Sequence, residues 1–155
     1  MTAPSDNPGV KFPPPLLYAA AVIGGIFLDH RWFLPIGSGM WREVVGSALV
    51  GLWAVLTATS VGRFLLARTS ILPMRPASTF IQSGPYRFTR NPMYVGLALL
   101  TISFGLFFNT YWPIVLLVPV LLLIQRFVIL PEERYLRRRF GADYEAYTRK
   151  VRRWL

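Results

Sequence analysis

The chain has 155 residues, which suits a single domain, and carries no cysteine and one histidine, His30, so disulfides, thiolate or multi-histidine metal sites and a cysteine nucleophile are excluded. It is 54% apolar and 15% charged, where soluble domains run at roughly 45–50% and about 25%. The net charge of +10 lies between apolar blocks, which points to a membrane and away from nucleic acid.

Residues 1–15 are polar and then proline-rich, and read as an extended leader. The first apolar block runs from Leu16 to Leu34 and is broken near its end by Asp29-His30-Arg31. The second runs from Val44 to Leu66, long enough for a hydrocarbon core that needs roughly 20 apolar residues. Gly46, Ala54, Ala58 and Gly62 fall on one face of it, which predicts close helix packing there. The third block, Met93 to Phe108, and the fourth, Tyr111 to Leu130, form a helical hairpin turning at Asn109-Thr110, with Pro113 at a tolerated position and Pro119 a possible kink. Beyond Pro131 the chain becomes basic. Glu132 to Phe140 reads as an amphipathic helix, bent or ended by Gly141, and Asp143 to Trp154 as a second helical piece on the membrane surface or under the bundle.

These elements predict an all-α integral membrane protein with four transmembrane helices and a C-terminal amphipathic tail over residues 131–155, the whole chain forming one domain. The 67–92 loop, with Arg68, Arg75, Arg87 and Arg90, and the arginine-rich tail hold the excess positive charge, whereas the 29–43 loop is neutral. Four spans place both basic segments on one side, and the positive-inside rule makes that side cytoplasmic, with both termini there.

Chemistry concentrates where the 67–92 loop meets the third block and where the fourth block ends. Pro92 suits the first helical position and Asn91 the N-cap, and a helix N-terminus beside Arg90 is a natural carboxylate site. Lipid-phosphate contact is the competing reading for Arg87 and Arg90. Tyr86 and Tyr94 flank the turn, as interfacial anchors or as pocket walls facing a base or a sulfonium. Glu132 shares a helical stripe with Leu136 and Phe140 and is expected to point inward. Glu133 precedes Arg137 by four residues and is expected outward, in a surface ion pair. An inward acid at a membrane boundary is costly unless it meets a cation.

Gly84-Pro85-Tyr86, Arg90-Asn91-Pro92-Met93-Tyr94-Val95-Gly96, Glu132-Glu133, Leu136, Phe140-Gly141, Tyr144 and Tyr147 together resemble the isoprenylcysteine carboxyl methyltransferase family, to which the phospholipid N-methyltransferases are related in pattern. The resemblance covers about residues 78–155. It implies a small bundle of membrane helices with an S-adenosylmethionine pocket near the cytoplasmic face, closed by the tail. By the same resemblance Ser78, Thr79, Phe80 and Ile81 wrap the cofactor, with Tyr86 nearby, and Asn91, Pro92, Met93 and Tyr94 line the pocket. Glu132 holds the cofactor's amino group, and Arg90 and Glu133 are the candidate catalytic residues. Asn91 stands where the family has histidine; an amide donates a hydrogen bond but is no base. Val128 stands where some relatives carry an arginine for a substrate carboxylate.

The function that follows is an integral membrane, S-adenosylmethionine-dependent methyltransferase acting on a lipid amine, a lipophilic carboxylate or a thiol, with the bilayer as partner and neither metal nor nucleic acid involved. The alternative is a non-catalytic membrane protein whose basic face binds anionic lipid or a partner protein. A membrane reductase using a nicotinamide cofactor has no separate support in the sequence.

Overall fold

The computed structural model of the protein describes Val10, residues 12–70 and residues 78–155. The chain forms α1 (Pro15–Arg31), α2 (Trp41–Leu66), a 3-10 turn (Gly84–Arg87), α3 (Pro92–Phe107), α4 (Trp112–Ile124), a π-helical turn (Gln125–Ile129) and α5 (Leu130–Lys150). The described residues contain no strand, only an isolated bridge between Thr89 and Arg152. Most of the leader, and Arg75 of the basic loop, lie outside the described residues. Its described end joins the fold: Val10 is buried in the core, and the Pro13 and Pro14 carbonyls accept the first amides of α1.

Prolines mark the helix starts. Pro15, Pro92 and Pro113 fall in first turns, where a missing N–H has no partner to lose. Pro119 lies inside α4, which stays helical through it. Pro131 comes one residue past the π-helical turn, after Leu130. It has no N–H to give the Phe127 carbonyl and its ring crowds that carbonyl, and the wide turn falls where this strain must be absorbed. The helix then continues to Gly141, whose φ of 50° and ψ of −125° bend it as expected. The tail departs from expectation after that: the helix ends at Lys150, and Val151 is extended.

α3 is the central helix, packed on α2, α4 and α1, and α1 also packs along α4. Tyr18, Ala21, Leu117, Val120, Ile124, Val128 and Ile129 make the main core. The contact face of α2 differs from the predicted small-residue stripe. Gly46 takes the Phe107 ring, and Trp53 and Thr57 meet Gly96, with Ser60 buried one turn on. Ala54 and Ala58 are exposed. Trp53 and Ser60 follow from Gly46 at the seven-residue spacing that keeps one seam toward a partner helix, with Thr57 beside them one turn past Trp53, whereas strict four-residue steps drift around the cylinder.

Among the described residues two helices are long and apolar enough to cross a membrane: α2, and the continuous rod beginning at Trp112, whose apolar part ends at Leu130. α1 and α3 are shorter, at 17 and 16 residues. Only 11% of the most apolar window of α2 is buried, and Val55, Val118 and Leu122 stand at least 60% exposed. Helices that are apolar on their outer faces as well as their inner ones match a hydrocarbon surround.

The two ends of the bundle differ. At one, the loop after α1 is tied to the α3–α4 turn: the Tyr111 amide donates to the Leu34 carbonyl at 3.0 Å and the Trp112 indole to the Trp32 carbonyl at 2.7 Å. Asn109 makes the turn at φ 54°. The other end gathers the described part of the 67–92 segment, α5 and the tail, and holds the candidate site.

The tightest interhelical approach is Gly25 of α1 against the start of α4, where a Cβ would stand 2.6 Å from the Pro113 nitrogen. Backbone cannot yield as a side chain can, so Gly25→Ala should lower stability by about 1–3 kcal/mol. Gly24→Ala meets only the Leu116 methyl at 3.5 Å and should not. Thermal unfolding of both variants in one detergent checks this; equal melting temperatures would contradict the contact.

Candidate functional site

Three segments that are far apart in sequence meet at the basic end. The 3-10 turn and Thr89-Arg90-Asn91 lead into α3, Glu132 and Glu133 open α5, and the tail returns across both. The return is fixed by backbone and side chains. The Arg90 amide donates to the Arg152 carbonyl at 2.9 Å, and both Asn91 Nδ2, at 2.8 Å, and Thr89 Oγ1, at 3.3 Å, donate to the Arg153 carbonyl. Asn91 therefore holds the N-cap position of α3 without capping it; its side chain holds the tail.

Glu133 corrects the sequence expectation. It is not outward beside Arg137 but 5% exposed, with a salt bridge from Arg90 Nη1 to Oε1 at 2.9 Å. Arg153 grips it with both arms, Nε to Oε1 at 3.0 Å and Nη2 to Oε2 at 2.9 Å. The returning tail covers it. Arg153, which the sequence offers only as one more positive charge of the tail, is the residue that reading missed. The available signal was the adjacent pair of acids, since two neighbouring carboxylates at a membrane boundary require a cation close by.

Glu132 faces the other way. It has no hydrogen bond or ion pair to any described residue, and it influences the Tyr86 and Tyr94 phenols electrostatically. It lies past the apolar part of the rod. Burial first, and the Glu133 carboxylate second, push it up to about 7. It keeps some accessible surface on a cavity of about 30 Å³ lined by Arg90, Asn91, Ile129, Glu132, Glu133, Leu136 and Tyr144. Arg90 is nearly buried on this cavity, and neither its Nε nor its Nη1 has a hydrogen-bond acceptor among the described residues; the Nη1 contact with Glu133 is ionic only.

The remaining predicted residues form the walls. Tyr86 is buried edge-on to Phe64, and its carbonyl accepts the Tyr147 hydroxyl at 2.8 Å. Phe80 packs among Phe140, Tyr144 and Tyr147 with ring centroids 5.0–5.8 Å apart. Burial, then Glu133, push Tyr144 up to about 12, so it stays a neutral phenol. Ser78 and Thr79 are tied to the end of α2 through Thr69, and Ile81 is half-buried. Pro92 is buried and Tyr94 and Met93 are partly buried on the first turn of α3. Beyond the Tyr144–Tyr147 pair lies a larger cavity of about 480 Å³, lined by Phe80, Gln82, Arg87, Asp143, Ala146, Tyr147, Lys150 and Val151. No group of metal-ligating side chains occurs among the described residues.

Residues 41–143 match the phospholipid methyltransferase family, and the chain belongs to it. Over 63 residues it is 36% identical to an uncharacterized protein of Haemophilus influenzae, a match that covers 41% of this chain and all of that protein. No solved structure matches it significantly. Family membership brings methyltransferase activity in general, and it joins α2 to the segment that carries the sequence resemblance.

The two acids should separate in stability measurements. Glu133→Gln leaves two arginines facing one another and should cost about 3 kcal/mol, the low end for orphaning buried charge because Arg153 is partly exposed. Glu132→Gln should be neutral or stabilising near pH 7. The folded-state pKa of Glu132 lies above its ordinary value of 4.5, so the folded protein binds the extra proton and stability falls as pH rises from about 4.5 to about 7. The Gln variant should lose that slope, as melting temperatures across the window would show.

Proposed function

We propose that the protein is an integral membrane methyltransferase that uses S-adenosylmethionine and modifies a lipophilic, membrane-borne substrate. The observation that carries this reading is the pairing inside one cavity of a carboxylate with no cation among the described residues, Glu132, and a guanidinium with no acceptor on Nε among them, Arg90. The amino-acid end of S-adenosylmethionine offers the complement to both, an ammonium and a carboxylate, and the residues present fit it. Glu132 would take the ammonium and Arg90 the carboxylate, in charge-assisted hydrogen bonds.

The larger cavity has the size of a small-molecule site, and Phe80 and Tyr147 give it aromatic walls suited to a nucleoside. When bound, the cofactor supplies an electrophilic sulfonium methyl group. The protein's own task is to position and to exclude water. The Arg153–Glu133–Arg90 cluster holds the tail over the site. Arg90 is thus a cofactor-binding residue, and Glu133 orients it. No side chain in the cavity is left free as a general base: Asn91 is an amide committed to the tail, Tyr144 keeps its proton, and Glu132 is taken by the ammonium. That suits a substrate whose nucleophile is free at neutral pH or loses its proton to water.

The substrate enters laterally from the bilayer, because the outer faces of the helices around the site are apolar. In this reading α1 and α3 cross with α2 and the long rod, giving four spans, and the basic end is cytoplasmic with both termini.

Glu132→Gln should weaken S-adenosylmethionine binding by about 10- to 150-fold, the cost of one charge-assisted hydrogen bond in a partly dry site. Wild-type affinity should rise as pH climbs toward about 7, since only the ionised carboxylate attracts an ammonium, and the variant should lose this dependence. Calorimetry in detergent checks both; an unchanged dissociation constant would remove Glu132 from the cofactor site.

A further inference from the structure

The rod carries a second polar depression, on the far side of Glu133 from the small cavity. It has a volume of about 270 Å³ and is lined by Arg126, Leu130, Glu133, Arg134, Arg137 and Arg153. Its carboxylate is already engaged by Arg90 and Arg153, at 2.9 Å each. Arg126, Arg134 and Arg137 are exposed and have no carboxylate partner among the described residues. The groove is therefore strongly positive, and its charge is uncompensated.

Spacing makes it a built feature of the rod. Arg126, Leu130, Arg134 and Arg137 follow one another at four, four and three residues, so they share one face across the π-helical turn and the first turns of α5. Arg153 closes the groove from the tail. The face is continuous with exposed apolar surface below: Phe127 is 52% exposed and Leu122 and Val118 more so, and the Arg126 guanidinium lies 5.9 Å from the centroid of the Phe127 ring. Arginine forks at the upper edge of a greasy strip match one kind of molecule, with a phosphate at one end and hydrocarbon at the other.

We propose that this groove is a discrete binding site for an anionic phospholipid, its phosphate held by Arg126, Arg134 and Arg137 and its acyl chains laid along the outer face of α4. The site is separate from the cofactor cavity and does not depend on the reaction assigned above. The bound lipid is not thereby the methyl acceptor. Arg153 is the link between the two sites, since it faces the groove and grips Glu133.

The test uses the full chain in nanodiscs of phosphatidylcholine alone or of an equimolar mixture with phosphatidic acid, with lipid retained on extraction counted by native mass spectrometry. Wild type should keep one phosphatidic acid in preference to phosphatidylcholine. Arg134→Gln/Arg137→Gln should weaken that retention by about tenfold or more, as the loss of charge-assisted contacts requires. Arg138→Gln/Arg149→Gln removes the same charge from exposed positions outside the groove and should retain the lipid as wild type does. Arg134→Lys/Arg137→Lys should fall between, since it keeps charge and loses the forks. Equal losses in the two Gln pairs would mean diffuse attraction and overturn the site, as would no loss in either. Displacement of the lipid by glycerol 3-phosphate alone would show a site for soluble phosphate esters and overturn the lipid assignment.

Discussion

The buried cluster of Glu133 between Arg90 and Arg153 is the contact on which this end of the protein depends. It joins three segments that share no secondary structure: the entry to α3, the start of α5 and the returning tail. A buried ion pair contributes little net stability, because desolvation offsets most of the attraction, but it fixes geometry. Here it fixes the height of the tail above the cavity and the direction of the Arg90 side chain. The Arg90 backbone amide and the Asn91 side chain, donating to the Arg152 and Arg153 carbonyls, reinforce the same arrangement.

Adjacent acids thus acquire separate tasks. Glu133 is neutralised within the protein and acts as a tie. Glu132 has no cation among the described residues, is held among tyrosines, and is ready for a charge from outside. A basic face that only bound lipid would have no use for a carboxylate in this state. Together with membership of the phospholipid methyltransferase family, this weighs against a non-catalytic membrane protein.

Much of the architecture was legible because the forces that set it are local. The proline positions, the length of each apolar run, the turn at Asn109 and the bend at Gly141 depend on neighbouring residues, and the helices lie where these place them. The facing of Glu132, set by its own stripe with Leu136 and Phe140, was legible for the same reason. Glu133 was not. Its burial comes from a chain segment twenty residues on, and no periodicity within α5 announces that the tail will double back. Asn91 shows the same limit: its position as N-cap was visible, but the partner of its side chain was not. The α2 seam was half legible, since Gly46 lies on it and Ala54 and Ala58 do not.

The π-helical turn at Gln125–Ile129 sits between the apolar rod and the acids. Such a turn accommodates one residue more than a regular helix over the same rise, while the helices on either side keep their alignment. Elsewhere in α4 or α5, gaining or losing a residue would swing everything beyond it by about 100° around the axis and turn the carboxylates away from α3. Within these few positions the loss of one residue can be absorbed by converting the wide turn to an ordinary one. The segment is the natural place for relatives of this chain to differ in length by a residue while preserving one orientation of the acids, and an alignment that forces a gap elsewhere in the rod would pair residues that do not occupy the same space.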